Sequence, residues 1–132
     1  MIEIIIVAHG NLAKSIFETT HAMSCMDTSR VTCFSVACNS DVESIIIELR
    51  NIFTAAEEGA IVLTDMFGGS GANISLLASR DLPKIKVITG VNMGMFISAL
   101  NNRGQMDIEA LAAKVEADGK RAVINATNFM NA

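Results

Sequence analysis

The stretch EIIIVAHGN, residues 3–11, decides how the rest of the chain is read. Four β-branched residues, Ile4, Ile5, Ile6 and Val7, run on through Ala8 without polar alternation. Such a run fits a strand buried on both faces, which belongs to a parallel sheet covered by helices. It then ends in His9 and Gly10, so a greasy strand terminates in an ionisable ring. Either the imidazole is a packing residue at a strand end, or the strand exists to present it.

Further strands are predicted at VTCFSVA (31–37), AIVLT (60–64), IKVIT (85–89) and, last and short, KRAVINA (120–126). Helices are predicted between them. Asn11 caps one over roughly 12–26, with Leu12, Ile16, Met23 and Met26 on one face. The strongest covers 40–58: Val42, Ile45, Ile46, Leu49, Ile52, Phe53 and Ala56 follow the i, i+3, i+4, i+7 spacing, Ser40 and Glu43 form a capping box, and Gly59 stops it. A third covers about 72–80, and the segment from Gly90 begins as a loop and becomes a helix. The last has Ile108, Leu111, Ala112 and Val115 on one face and ends at Gly119. Strands alternate with helices and no linker or repeat intervenes. The reading is one doubly wound α/β domain over 1–126, with a mainly parallel central sheet and helices on both faces, and a tail over 127–132.

Composition narrows the function classes. The chain has 132 residues, 51% hydrophobic and 18% charged, with a net charge of −4. No apolar run approaches the ~20 residues of a membrane span. No basic, then apolar leader precedes Glu3, so a cytoplasmic protein is expected. Lys and Arg form no cluster and Trp and Tyr are absent, which argues against nucleic acid as a partner. Cys25, Cys33 and Cys38 form no CxxC pair and read as small core residues, and the eight methionines read as core filler. No metal-ligand set and no cofactor motif is present, so neither metal nor cofactor is expected.

In an open α/β sheet, ligands bind outside the carboxyl ends of the strands, where strand order reverses. That edge gathers His9 and Gly10 from the first strand, Thr64, Asp65, Phe67, Gly68, Gly69 and Ser70 after the third, and Asn92 after the fourth. A neutral imidazole keeps one free lone pair near neutral pH. A carboxylate such as Asp65, accepting from one ring nitrogen, fixes the tautomer and leaves the other nitrogen nucleophilic. Gly68, Gly69 and Ser70 lead into a helix whose N-terminus favours an anion, and Ser70 can cap that helix or donate to a phosphate oxygen. Nucleophile, orienting carboxylate and small anion cradle together suggest a histidine that carries a phosphoryl group received from another protein. His21 and Lys14 read as ordinary surface or structural residues.

Three stretches carry a family resemblance. IIIVAHG (4–10), LTDMFGGSGAN (63–73) and ITGVNMGM (88–95) resemble the phosphorylated-histidine strand, the Asp-x-x-Gly-Gly-Ser/Thr-Pro-x-Asn motif and the Gly-Val-Asn-x-Pro-Met motif of the enzyme IIA domains of the mannose family (mannose/fructose/sorbose type) of the bacterial phosphoenolpyruvate-dependent sugar phosphotransferase system. The resemblance implies a phosphotransferase in which His9 takes phosphate from the small carrier protein HPr and passes it to a IIB component on a separate chain, serving membrane IIC and IID components. Asp65 would orient the imidazole, with Asn73 and Asn92 near the site. It also implies a homodimer in which a short antiparallel C-terminal strand, here KRAVIN (120–125), crosses to the partner's sheet. Gly71 and Gly94 stand where the family has proline, which is expected to loosen both loops. Two alternatives keep the site: a regulatory phosphoprotein whose phosphorylation controls a partner, and the phosphotransfer subunit of a dihydroxyacetone kinase. A receiver-type domain phosphorylated on Asp65 needs acidic residues after the first strand, where this chain has His9 and Gly10.

Overall fold

The computed structural model describes residues 1–130; Asn131 and Ala132, the end of the expected tail, lie outside the described residues. The elements are β1 (Glu3–His9), α1 (Leu12–Met23), β2 (Val31–Val36), α2 (Val42–Ala55), β3 (Ala60–Thr64), α3 (Ser70–Ala78), β4 (Ile85–Thr89), α4 (Met93–Asn102), α5 (Ile108–Arg121) and α6 (Ala126–Met130). Four strands form one sheet in the order β2-β1-β3-β4. All three pairings are parallel, with Ile5 opposite Thr32 and Val62, and Val62 opposite Val87.

The apolar runs are unbroken because each strand feeds two cores. Ile4, Ile6, Ile61 and Leu63 face Ile16 of α1, Phe96 of α4 and Leu111 of α5. Ile5, Val7 and Val62 face Leu49 and Phe53 of α2 and Ile74 of α3. Ile4 to Ala8 are fully buried. Strand order runs outward from β1 in one direction and from β3 in the other, so the crevice between their carboxyl ends is the switch point of the sheet. No described helix is long and apolar enough to cross a membrane.

The C-terminal antiparallel strand expected over 120–126 does not form in this chain. Helix α5 continues through Gly119 to Arg121. Gly119 reads as a stop in sequence, yet it is buried, and a Cβ there would collide with the Met95 side chain. The glycine serves the close approach of α5 to α4. The described sheet is therefore entirely parallel, and α6 occupies part of the expected tail.

Smaller corrections concern faces and caps. Helix α1 ends at Met23 and buries Ala13, Ile16 and Thr20, while Leu12 and Met23 are exposed. The buried stripe is rotated by about one residue, because the small Ala13 packs close beneath β1. Asn11 stands at the N-cap but makes no side-chain cap bond. Asp41, not Ser40, caps α2: its carboxylate accepts from the Ser44 N–H at 3.3 Å and the Ser44 hydroxyl at 2.8 Å. The Ser40 hydroxyl instead accepts from the Ala37 N–H. Cys25 and Cys38 are exposed; only Cys33 is half-buried, its thiol against the Ala13 carbonyl, where burial pushes the thiol up from its ordinary value. Of the methionines Met95 fills the core, whereas Met1, Met23, Met66 and Met130 are exposed.

Two polar clusters tie the elements together. At the amino end of the sheet, buried Arg103 donates to the carbonyls of Ile2 at 3.3 Å, Asp27 at 2.9 Å and Ser29 at 2.7 Å. One fork thus joins the end of α4, the start of β1 and the 24–30 loop. Asp118 of α5 accepts from the Ser98 hydroxyl of α4 at 2.6 Å and from Lys114 and Arg121. Those hydrogen bonds, Ser98 first, hold its carboxyl at about 2.

Arg103→Met should cost about 2–4 kcal/mol, because three buried or part-buried carbonyls lose their donors; urea unfolding measures it, and Arg103→Lys should not recover the loss, since an ammonium lacks the planar fork. Asp118 has a depressed folded-state pKa, so its stabilisation is present above the ordinary carboxylate pKa of ~3.9 and disappears as pH falls toward about 2. The stability gap between wild type and Asp118→Asn should therefore narrow between pH 6 and pH 2.5; a gap independent of pH would refute this.

Candidate functional site

The register of β1 on β3 sets the site. Val7 lies opposite Thr64, so the next residues, Ala8-His9 and Asp65, emerge together at the carboxyl edge. The His9 ring nitrogen Nδ1 lies 2.6 Å from Asp65 Oδ2. The same carboxylate oxygen accepts the His9 backbone N–H at 2.9 Å, and Oδ1 accepts the Met66 N–H at 3.0 Å. The carboxylate therefore holds the main chain and the ring of His9 at once. Burial raises the Asp65 carboxyl, but the His9 N–H, the His9 ring and its charge outweigh that and leave it below the usual range. As a carboxylate it can only accept, so in the neutral ring the proton sits on Nδ1 and Nε2 keeps its lone pair. The His9 side chain is 47% exposed and that of Asp65 12%, so the ring faces outward over a largely covered partner.

Around the ring the loops are built from backbone. Gly10 has φ +58°, a left-handed conformation with no side chain to strain it, and open space around its Cα. The 65–69 turn closes through Gly69 N–H to Met66 O at 3.1 Å. Gly69 is the N-cap of α3 and lies beside the ring: a Cβ there would sit 3.5 Å from His9 Cε1, the carbon between the two nitrogens. Ser70 and Gly71 follow as the first residues of α3, so their N–H groups have no acceptor within the helix. Gly68, Ser70 and Asn73 are exposed, and Asn73 reaches the Gly68 carbonyl at 3.4 Å.

Other expected residues take different places. Thr64 is fully buried: its hydroxyl has no partner among the described residues, and its carbonyl accepts the Val91 N–H at 2.9 Å, joining the β3 and β4 ends. Phe67 is 85% exposed and, with Met66, forms an apolar rim. Both ends of the Asn92 amide are committed: Oδ1 caps α4 at Met95 N–H, and Nδ2 donates to Gly119 O in α5. It works at the α4–α5 junction. Lys14 pairs with Glu18 on the α1 surface, and His21 stacks on Phe17 and meets the Thr28 hydroxyl at 3.0 Å.

Gly71 and Gly94, expected to loosen their loops, each sit where a Cβ has too little room. A Cβ at 71 would come within 2.9 Å of the Val7 carbonyl, and one at 94 within 2.9 Å of Ala122 Cβ. Glycine lets α3 settle against β1 and lets the end of α5 close on α4. Sequence reasoning also missed the His9 N–H bond to Asp65 and the contact of the Ser35 hydroxyl with the Gly10 carbonyl, since main-chain partners leave no residue-type signal.

Comparison of the sequence with curated proteins finds no match. Solved structures do match. The phosphotransferase system component EIIA of Streptococcus agalactiae superposes with a TM-score of 0.86 at 26% identity, covering 97% of this chain and 99% of that one. The mannose/sorbose-specific IIA subunit of Enterococcus faecalis gives 0.80 at 23% identity, covering 94% and 93%. A PTS IIA protein associated with the fucose utilization operon of Streptococcus pneumoniae gives 0.80 at 20% identity, covering 97% and 95%. The latter two share the fold. The family of PTS system fructose IIA components matches residues 3–116. With the fold, the pairing of His9 and Asp65 at its switch point and that match over most of its length, the chain belongs to the fructose IIA component family of the sugar phosphotransferase system.

Proposed function

We propose that the chain is a cytoplasmic phosphoryl carrier in which His9 Nε2 accepts phosphate from HPr and gives it to a IIB component of a mannose/fructose-type system. The observation that carries this is the 2.6 Å contact of His9 Nδ1 with Asp65, which leaves Nε2 free on an exposed ring. In the forward step the Nε2 lone pair attacks the phosphorus of the donor's phosphohistidine. The N–P bond to the donor breaks as the new one forms, and the donor imidazole leaves with the electron pair. His9 keeps its Nδ1 proton and becomes cationic, and the Asp65 carboxylate stabilises that charge. The transferred oxygens lie near the first turn of α3, where the Ser70 and Gly71 N–H groups, the Ser70 hydroxyl and the helix N-terminus favour negative charge. Gly10 leaves room for the phosphoryl group and an incoming protein. The second step repeats the exchange with the acceptor.

The carrier is also proposed to act as a homodimer. Strand β4 is an edge of the sheet, and a cleft beside it is lined by Leu76, Val87, Ile88, Ala112 and Glu116. Val123 and Ile124 are 81% and 56% exposed in the single chain, within a stretch whose composition favours a strand. Pairing of that stretch from a second copy along β4 would cover both.

Incubation with phosphoenolpyruvate, enzyme I and HPr should label the wild type with acid-labile, alkali-stable phosphate, and His9→Ala should take none. Asp65→Asn should slow labelling by on the order of tenfold or more, because the tautomer and the counter-charge are both lost. An unlabelled wild type would sink the carrier reading. In light scattering the wild type should have twice the mass of the double variant Val123→Asp, Ile124→Asp; a monomeric wild type would rule out the dimer.

A further inference from the structure

His9 is the last residue of β1, and the chain must turn directly after it. Asp65 secures the ring and the amide before it, but not the peptide that follows. The next residue is Gly10, with φ +58° and no heavy atom within 4 Å of where a Cβ would lie, so no side chain restrains its rotation. The cap that would restrain it from the other side is missing, since the Asn11 side chain makes no cap bond. What does hold Gly10 comes from β2. Its N–H donates to the Val36 carbonyl at 3.2 Å, and its carbonyl accepts the Ser35 hydroxyl at 2.6 Å. Ser35 is paired with Ala8 across the β1–β2 ladder, so its side chain stands on a fixed strand beside the turn. It is the one side chain among the described residues with a hydrogen bond to Gly10.

We infer that Ser35 is a positioning residue for phosphoryl transfer: its hydroxyl fixes the Gly10–Asn11 peptide and so, with the Val36 carbonyl on the Gly10 N–H, the turn from which His9 presents Nε2. This rests on the carrier reading given above. A glycine peptide freed on one side rotates readily, and small misplacements of a nucleophile cost rate while leaving partner binding intact. Ser35 is exposed on an edge strand, so its hydroxyl contributes little else.

The test compares Ser35→Ala, Ser35→Thr and Ser35→Val. Thr keeps the hydroxyl and Val is its isostere without one, so that pair decides even if the alanine variant folds poorly. With saturating phosphorylated HPr, the Ala and Val variants should be labelled about fivefold more slowly, with the half-saturating HPr concentration unchanged. In the unphosphorylated protein, amide exchange at Gly10, whose N–H is bonded to the Val36 carbonyl, should accelerate to a similar degree. Thr should restore both. Equal rates and equal exchange in Thr and Val variants would overturn the inference. If the wild type takes no phosphate, the carrier reading fails, and the exchange comparison alone decides whether Ser35 holds the turn.

Discussion

The contact between His9 and Asp65 is what the rest of the fold has to make possible. Neither residue is near the other in sequence: His9 is the last residue of β1, and Asp65 follows directly on β3. Their meeting depends on the register of two parallel strands, with Val7 opposite Thr64. A slip of one residue would exchange the residues facing the two cores and turn His9 to the opposite face of the sheet. That slip is resisted because Ile4 to Ala8 and Ile61 to Leu63 are completely buried, with alternate residues matched to helices on both sides. The apolar monotony of β1 is thus the means by which a polar pair is aligned.

The two ends of the sheet are held by different means. At the amino end one buried cation, Arg103, collects three carbonyls. At the carboxyl end no comparable side-chain fork exists among the described residues around the ring. Its loops are held by Asp65, by main-chain bonds such as Gly69 N–H to Met66 O and Val91 N–H to Thr64 O, and by close packing at glycines. An edge made of backbone donors offers unoccupied N–H groups at the start of α3, which an anion can use without displacing a resident side-chain partner.

How much of this can be read in the sequence depends on whether the signal is local. β1, β3 and β4 are legible because burial on both faces leaves no polar alternation. His9 and Asp65 are legible because the carboxyl ends of such strands are where a doubly wound sheet gathers its ligands. The C-terminal strand is not: KRAVINA has strand composition, but Gly119 before it serves packing against Met95, so the helix passes through the apparent stop. The face of α1 is misread because Ala13 and Thr20 carry little hydrophobic signal, while the more apolar Leu12 and Met23 lie outside. Cys25 and Cys38 follow the same lesson in reverse: a residue type that is usually buried says nothing about a particular loop. Asn92 is legible as a motif residue, but which groups its amide meets depends on where α5 ends.

The glycines at 71 and 94 bear on how separable the site is from the scaffold. Each takes up space that belongs to another element, the β1 carbonyl at Val7 in one case and the end of α5 at Ala122 in the other. The loops after β3 and β4 are therefore not modules that can be exchanged with those of a proline-bearing relative. A graft of either loop would arrive with atoms where the Val7 carbonyl or the Ala122 side chain already lies. A side chain at either position therefore requires the element facing it to give way.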